Sequence, residues 1–163
     1  MTVTIRLMEH GDVADVQRVA RTSWHHTYGG IIPVPVRRRF LDSFYSDEAI
    51  VRRMADSLLL VAQQDDAIVG FANFFVSRRD PKEAELGAIY IVPEAQGIGI
   101  GTMLLQAGIA RLRGVKHLFA NVEKTNRKGR TFYEARSFRQ VGETEELFYG
   151  HALRTVKMRL DLA

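Results

Sequence analysis

The residues from Ala84 to Leu105 carry the most specific chemical pattern in the chain. An extended run, Ala84-Glu85-Leu86-Gly87-Ala88-Ile89-Tyr90-Ile91-Val92, is stopped by Pro93. Gln96-Gly97-Ile98-Gly99-Ile100-Gly101 then opens onto Thr102-Met103-Leu104-Leu105. The spacing predicts a strand, a tight glycine turn and a helix N-terminus. Helix N-termini present unpaired N–H groups and a partial positive charge, so such a turn can hold a phosphate. Glycines at 97, 99 and 101 remove the side chains that would keep a diphosphate away from those amides. The stretch reads as an anion cradle.

Two familiar glycine motifs fail on spacing. A Walker-type loop needs Lys and then Ser or Thr after its last glycine, whereas Gly101 is followed by Thr102-Met103. A dinucleotide fingerprint needs G-x-G-x-x-G, but counted from Gly97 the third glycine comes one residue early, at Gly101. No acidic residue closes the next strand, Lys116 to Val122, to hold a ribose. NTPase and NAD readings therefore lapse.

What remains is Q-x-x-G-x-G, met by Gln96, Gly99 and Gly101 directly after Val92-Pro93. A second segment runs Asn126-Arg127-Lys128-Gly129-Arg130-Thr131-Phe132-Tyr133-Glu134-Ala135-Arg136-Ser137-Phe138. On these two segments the chain resembles the GNAT superfamily of acetyl-CoA-dependent N-acetyltransferases, whose second pattern is N-x-x-A-x-x-F-Y-E-x-x-G-F. It departs at Gly129, where alanine is usual, and at Ser137, where glycine is usual. Serine costs more than glycine there if the position needs a positive φ. The N-terminal segment and the tail from Phe148 to Met158 look loosely like the PaiA-type polyamine acetyltransferases.

The resemblance implies acetyl-CoA as cosubstrate, its diphosphate held by Gln96, Gly97, Ile98, Gly99, Ile100, Gly101 and Thr102. Its thioester arm would lie in a strand splay beside Ile91 and Val92, pairing with free backbone groups as a peptide adds to a sheet edge. Asn126 matches the asparagine that bonds the cofactor, with helix capping as a compatible role. Lys128, with Arg127 and Arg130, is a candidate for the ribose 3′-phosphate, or is simply solvated. In such proteins the first two helices build the acceptor side, which makes Trp24, His26 and Tyr28 pocket candidates. Trp24 and Tyr28 share a helix face, so core packing is the competing reading.

The chemistry sets its own demands. An amine of pKa near 10.4 presents its free lone pair in only ~1 molecule in 10³ at pH 7, a deficit of roughly 4–5 kcal/mol. A general base is needed, and Glu85 stands where the family often carries a carboxylate; an exposed strand carboxylate is the alternative, and Glu83 the reserve. Many relatives carry a second Glu two residues on, where this chain has Gly87. The leaving thiolate has a pKa near 8.5, so a phenol of pKa near 10 can donate to it. Tyr133 occupies the family's position for that donor.

Composition narrows the rest. The chain has 163 residues, 46% hydrophobic and 26% charged, which suits one globular domain, residues 1–163. It contains no cysteine, which excludes disulfides, thiolate metal sites and an acetyl-cysteine route, so acyl transfer must be direct or pass through another residue; direct transfer in a ternary complex is the leading expectation. Adjacent His25 and His26 point to different sides of a helix and no H-E-x-x-H occurs, so no metal is assigned. The net charge of +4 is spread along the chain, suiting an anionic cosubstrate better than nucleic acid. No membrane span or signal peptide is evident, so a cytoplasmic monomer or homodimer with no membrane partner is expected.

The elements that must position these groups follow the chain. A strand at Val3–Leu7 precedes a helix capped by Asp12 and stopped by Gly29-Gly30. Helical stretches follow at about Val36–Ser43 and, capped by Ser46, about Asp47–Ala55. Leu58–Ala62 and Ile68–Val76 form a hairpin around Asp65-Asp66, and Pro81-Lys82 turns into the Glu85 strand. A helix from Thr102 to Arg113, a strand at about Lys116–Val122, the Asn126–Ala135 helix and two antiparallel strands around Gly150 complete it. The expected class is α/β (α+β): a central mixed, mostly antiparallel sheet of about seven strands, flanked by four to five helices.

The acceptor class stays open at this stage. A small amine or polyamine leads, and Glu143, Glu145 and Glu146 could furnish an acidic cleft for a polycation. A protein N-terminus or lysine is the alternative, as is a catalytically weak CoA-binding regulatory module.

Overall fold

Ser46 and the residues after it show how local chemistry sets the elements. The Ser46 hydroxyl accepts from the Ala49 N–H at 3.2 Å and opens α3 (Asp47–Asp56), with Asp47 and Glu48 in its positive first turn. In a computed structural model, which describes residues 2–163, the chain forms β1 (Val3–Leu7), α1 (Val13–Tyr28), α2 (Val34–Phe44), α3, β2 (Leu58–Gln64), β3 (Ala67–Val76) and β4 (Glu83–Ile91). After these come α4 (Ile100–Arg111), β5 (His117–Glu123), α5 (Arg127–Ala135), β6 (Arg139–Phe148) and β7 (His151–Asp161). Short 3-10 turns cover His10–Asp12 and Pro93–Ala95. The seven strands order as β1-β2-β3-β4-β5-β7-β6. The β1–β2, β2–β3, β5–β7 and β6–β7 pairs are antiparallel and β4–β5 is parallel, which is the expected mixed sheet with five helices.

The residues group into two units. The first holds the chain up to Phe74 with Ala88–Arg113, the second Phe75–Gly87 with Gly114–Ala163. In the first, β3 is buried without interruption from Ile68 to Phe74, the signature of a strand covered on both faces. Helix α1 contributes Val16, Val19, Ala20 and Trp24 to that core, and α4 contributes Ile100, Leu104 and Leu105. In the second, β5 alternates and buries Leu118, Ala120 and Val122, while Val156 and Met158 of β7 are also buried. Strand β6 is exposed along most of its length. Its turn into β7, Tyr149-Gly150 with φ 48° and 81°, has the two left-handed residues of a type I′ hairpin.

Three boundaries differ from the sequence expectation. Helix α2 starts at Val34, because Pro35 falls in its first turn where no N–H acceptor is lost. Helix α4 starts at Ile100, so Gly101 is a buried residue of its first turn and only Gly97 and Gly99 form the bend; it ends at Arg111. Asp12 precedes α1 without capping it. Its carboxylate instead accepts from Arg6 at 2.7 and 3.0 Å and from the Glu9 N–H at 2.8 Å, and the guanidinium holds Asp12 below the usual carboxylate range. Among the described residues no helix is long and apolar enough to cross a membrane.

The end of α5 is a Schellman motif. The Phe138 N–H donates to the Tyr133 carbonyl at 3.0 Å, the Ser137 N–H donates to Glu134 at 3.1 Å, and the Phe138 and Tyr133 rings meet at 5.1 Å. Ser137 stands in the left-handed position, φ 72°, which the sequence marked as costly for serine. Ser137→Gly is expected to stabilise the fold by about 1 kcal/mol. Thermal unfolding should register this as a rise in Tm of about 2–4 °C. An unchanged or lower Tm would mean that the serine is not strained.

Candidate functional site

In the first unit, Gln96 explains its place in the glycine pattern. Its side-chain amide donates to the Ile91 carbonyl at 3.0 Å and ties the loop back to the end of β4. Gly97 and Gly99 then take φ 84° and 89°, a left-handed region that side chains with a Cβ rarely enter. A Cβ at either would meet nothing within 4 Å, so the backbone is open to an approaching group. Gly99 is the N-cap of α4, and the first i−4 hydrogen bond runs from the Met103 N–H to its carbonyl at 3.0 Å. The amides of Ile100 and Gly101 therefore lie in the first turn of α4, which helix geometry leaves without an i−4 acceptor, and Thr102 follows them in that turn. Ile98 is exposed, Ile91 half-buried, and Val92 is buried with its N–H donating to Val69 at 2.9 Å. The residues present suit a diphosphate, which needs open amides and no side chain in the way.

The acceptor-side candidates divide. Trp24 is buried, stacks on Phe40 at 4.1 Å, leans on Tyr28 at 4.5 Å, and donates its indole N–H to the Tyr90 hydroxyl at 2.9 Å. Both Trp24 and Tyr28 thus belong to an aromatic cluster, whereas His26 is exposed on another face of α1. Beside it, His25 accepts at Nδ1 from the buried Arg37 at 3.0 Å. Burial and then the Arg37, Arg38 and Arg21 charges lower its pKa, so it is a neutral acceptor at pH 7. Nothing in the sequence pattern pointed to Tyr90 or Arg37 as partners.

In the second unit, Asn126 caps α5 by accepting from the Gly129 N–H at 3.0 Å. A Cβ at 129 would lie 2.7 Å from the Asn126 amide nitrogen and 3.0 Å from Val122, so glycine, where relatives usually have alanine, leaves room for this cap. Lys128 is exposed in the first turn of α5. Tyr133 is buried, 7% accessible, and fixed from below by the Schellman motif.

Glu85 is exposed on β4, on the same face as Glu83, Gly87 and Ile89. Asn121 of β5 donates to its Oε1 at 3.0 Å. Both line a cavity of about 310 Å³ together with Glu83, Phe119 and Lys157. The Lys157 ammonium stands 4.4 Å from the centroid of Phe119, a cation–π contact. The parallel β4–β5 register pairs Glu83–Leu86 with His117–Ala120 and ends there, although each strand runs on. Asn121, Phe119 and Lys157 went unread in the sequence because only the β4–β5 register, with the β5–β7 pairing of Asn121 and Lys157, brings them to Glu85.

The tail carboxylates have partners. Glu143 pairs with Lys124 at 2.9 Å and Arg154 at 3.5 Å, the first of which chiefly lowers its pKa. Glu145 pairs with Arg154 at 3.7 Å, and Glu146 accepts from Thr155 at 2.9 Å. They lie on β6 rather than in a loop, and the basic partners offset much of the acidity that a polycation cleft would need. Among the described residues no group of three or more His, Asp or Glu side chains is placed to hold a metal ion.

An uncharacterized N-acetyltransferase of Bacillus subtilis, YuaI, is 32% identical over 161 residues, 94% of this chain and 90% of that protein. The spermidine N(1)-acetyltransferase of Thermoplasma acidophilum is 29% identical over 147 residues, 85% of this chain and 89% of its own length. The crystal structure of the PaiA N-acetyltransferase from Thermoplasma acidophilum, in complex with coenzyme A, superposes with a TM-score of 0.85 at 25% identity. That match covers 99% of this chain and 100% of the other. The pattern of one family, described as Acetyltransferase (GNAT), matches residues 21–138, a span that includes the glycine turn and Tyr133. The chain therefore belongs to the Acetyltransferase (GNAT) family.

Proposed function

We propose that this acetyltransferase moves an acetyl group from acetyl-CoA to the primary amine of a small molecule, by direct attack within a ternary complex. The observation that carries the reading is the pair of left-handed glycines, Gly97 and Gly99, opening α4 directly after β4. Amides of that turn bind the diphosphate, and Ile91 and Val92 run beside the thioester arm. When bound, the cosubstrate supplies an activated acetyl group. Glu85, oriented by Asn121, takes the proton of the acceptor ammonium directly or through water. Tyr133 donates from its hydroxyl to the departing thiolate. Asn126 orients α5 from its cap position, and Lys128 offers a cation to the ribose 3′-phosphate. With no cysteine in the chain, no acetyl-thioenzyme stage intervenes.

Small amines and polyamines lead as acceptors because one relative is a spermidine N(1)-acetyltransferase. The test is release of free CoA thiol against a panel of monoamines, polyamines, amino acids, aminoglycosides and lysine peptides. Turnover is expected with small primary amines. Tight acetyl-CoA binding without release on any amine would replace this reading with a regulatory CoA-binding role.

A further inference from the structure

The cavity beside Glu85 already contains an ammonium of the protein itself. Its walls bring two carboxylates, Glu83 and Glu85, together with an aromatic face, Phe119, which is the chemistry that recognises an alkylammonium. Lys157 Nζ occupies that face at 4.4 Å, and among the described residues it forms no ion pair with any carboxylate. The nearest like charge in the register is Arg159, opposite Phe119 on β7. It is paired with Asp161 at 2.9 Å, and Asp161 also takes Arg139 at 3.4 Å and His117 at 2.8 Å. The charged groups that line the cavity, two carboxylates and one lysine, sum to a single negative charge, enough to balance one further ammonium.

We propose that Lys157 is the specificity-determining residue that sets how many positive charges an acceptor can carry. Its ammonium on Phe119 takes the place of an acceptor's second cationic group, so the site as built favours an amine with one cationic group and a neutral tail over a polyamine. The inference rests on the reading that Glu85 faces the acceptor, and it narrows the acceptor class given there. Lys157 acts by charge and position and has no part in proton transfer.

The experiment compares butylamine with spermidine as acceptors in wild type, Lys157→Met and Lys157→Arg. Methionine keeps an unbranched stem out to Cε and removes the charged group, and arginine keeps both the charge and the ring contact. The ratio of KM for spermidine to KM for butylamine is expected to fall about tenfold in Lys157→Met and to stay at the wild-type value in Lys157→Arg. An unchanged ratio in Lys157→Met, with turnover present, overturns the inference and leaves the acetyltransferase reading standing. If wild type releases no CoA with any amine, that reading fails instead, and titration calorimetry with putrescine still decides this one. Tenfold tighter binding to Lys157→Met supports the ammonium site, and equal binding removes it. Lys157 is exposed, and an unchanged circular dichroism spectrum establishes that the variant is folded.

Discussion

Tyr133→Phe is expected to lower kcat by about 10²-fold or more while acetyl-CoA affinity stays at the wild-type level. Tyr133 is buried against Phe138 at 5.1 Å, and its carbonyl closes the α5 C-terminus by accepting from the Phe138 N–H. Phenylalanine keeps that ring contact, the volume and the backbone bond, so the variant loses the hydroxyl alone. On the proposed role the loss should fall on kcat, because a donor to the departing sulfur acts only as charge develops there. Steady-state kinetics with titration calorimetry for acetyl-CoA separate the two quantities. Wild-type kcat in Tyr133→Phe would show that the residue only packs, and a parallel loss of affinity would show that α5 had been disturbed.

Much of this arrangement was legible because its causes are local. Ser46 caps α3, Gly29 ends α1, and Ser137 takes the left-handed angle that its place after Arg136 demanded. A cap or a helix stop is decided within a turn of chain, so three or four residues suffice to read it. The misread boundaries involve residues with two outlets. Asp12 had a helix N-terminus to cap and an arginine six positions earlier, and the charged hydrogen bonds to Arg6 won. Pro35 reads as a breaker yet is harmless in a first turn.

What stayed illegible depends on register. Asn121 reaches Glu85 across 36 positions, and Lys157 reaches Phe119 because β7 lies between β5 and β6. Periodicity gives the face of a strand but not its neighbour, so a partner on the next strand has no sequence signal. Arg37 of α2 and Arg53 of α3 are buried although charged, Arg53 over the rings of Phe44 and Tyr45 at 4.2 and 4.6 Å, contacts between helices and loops that no local pattern announces.

The glycine turn yields the second large effect. Gly99→Val is expected to weaken acetyl-CoA binding by about 10- to 100-fold, the loss of one or two charge-assisted amide contacts. Gly99 holds φ 89°, where a β-branched side chain is strained, and its open side is the one from which the proposed diphosphate would approach. Relief of the strain re-aims the first-turn amides of α4, and retention of the backbone places a branched side chain in the ligand's path. Either outcome lowers affinity. Strain alone is controlled by Gly114→Val, since Gly114 has φ 79° and equally open surroundings, three residues after α4 ends. Both variants should lose similar thermal stability, about 1–2 kcal/mol, but only Gly99→Val should change the Kd measured by calorimetry. Equal Kd values in Gly99→Val and wild type would mean that the diphosphate is held elsewhere. Equal losses in the two variants would trace the effect to general destabilisation. A loss confined to position 99 assigns the anion to the α4 N-terminus, because the two glycines share a positive φ and only Gly99 opens the helix.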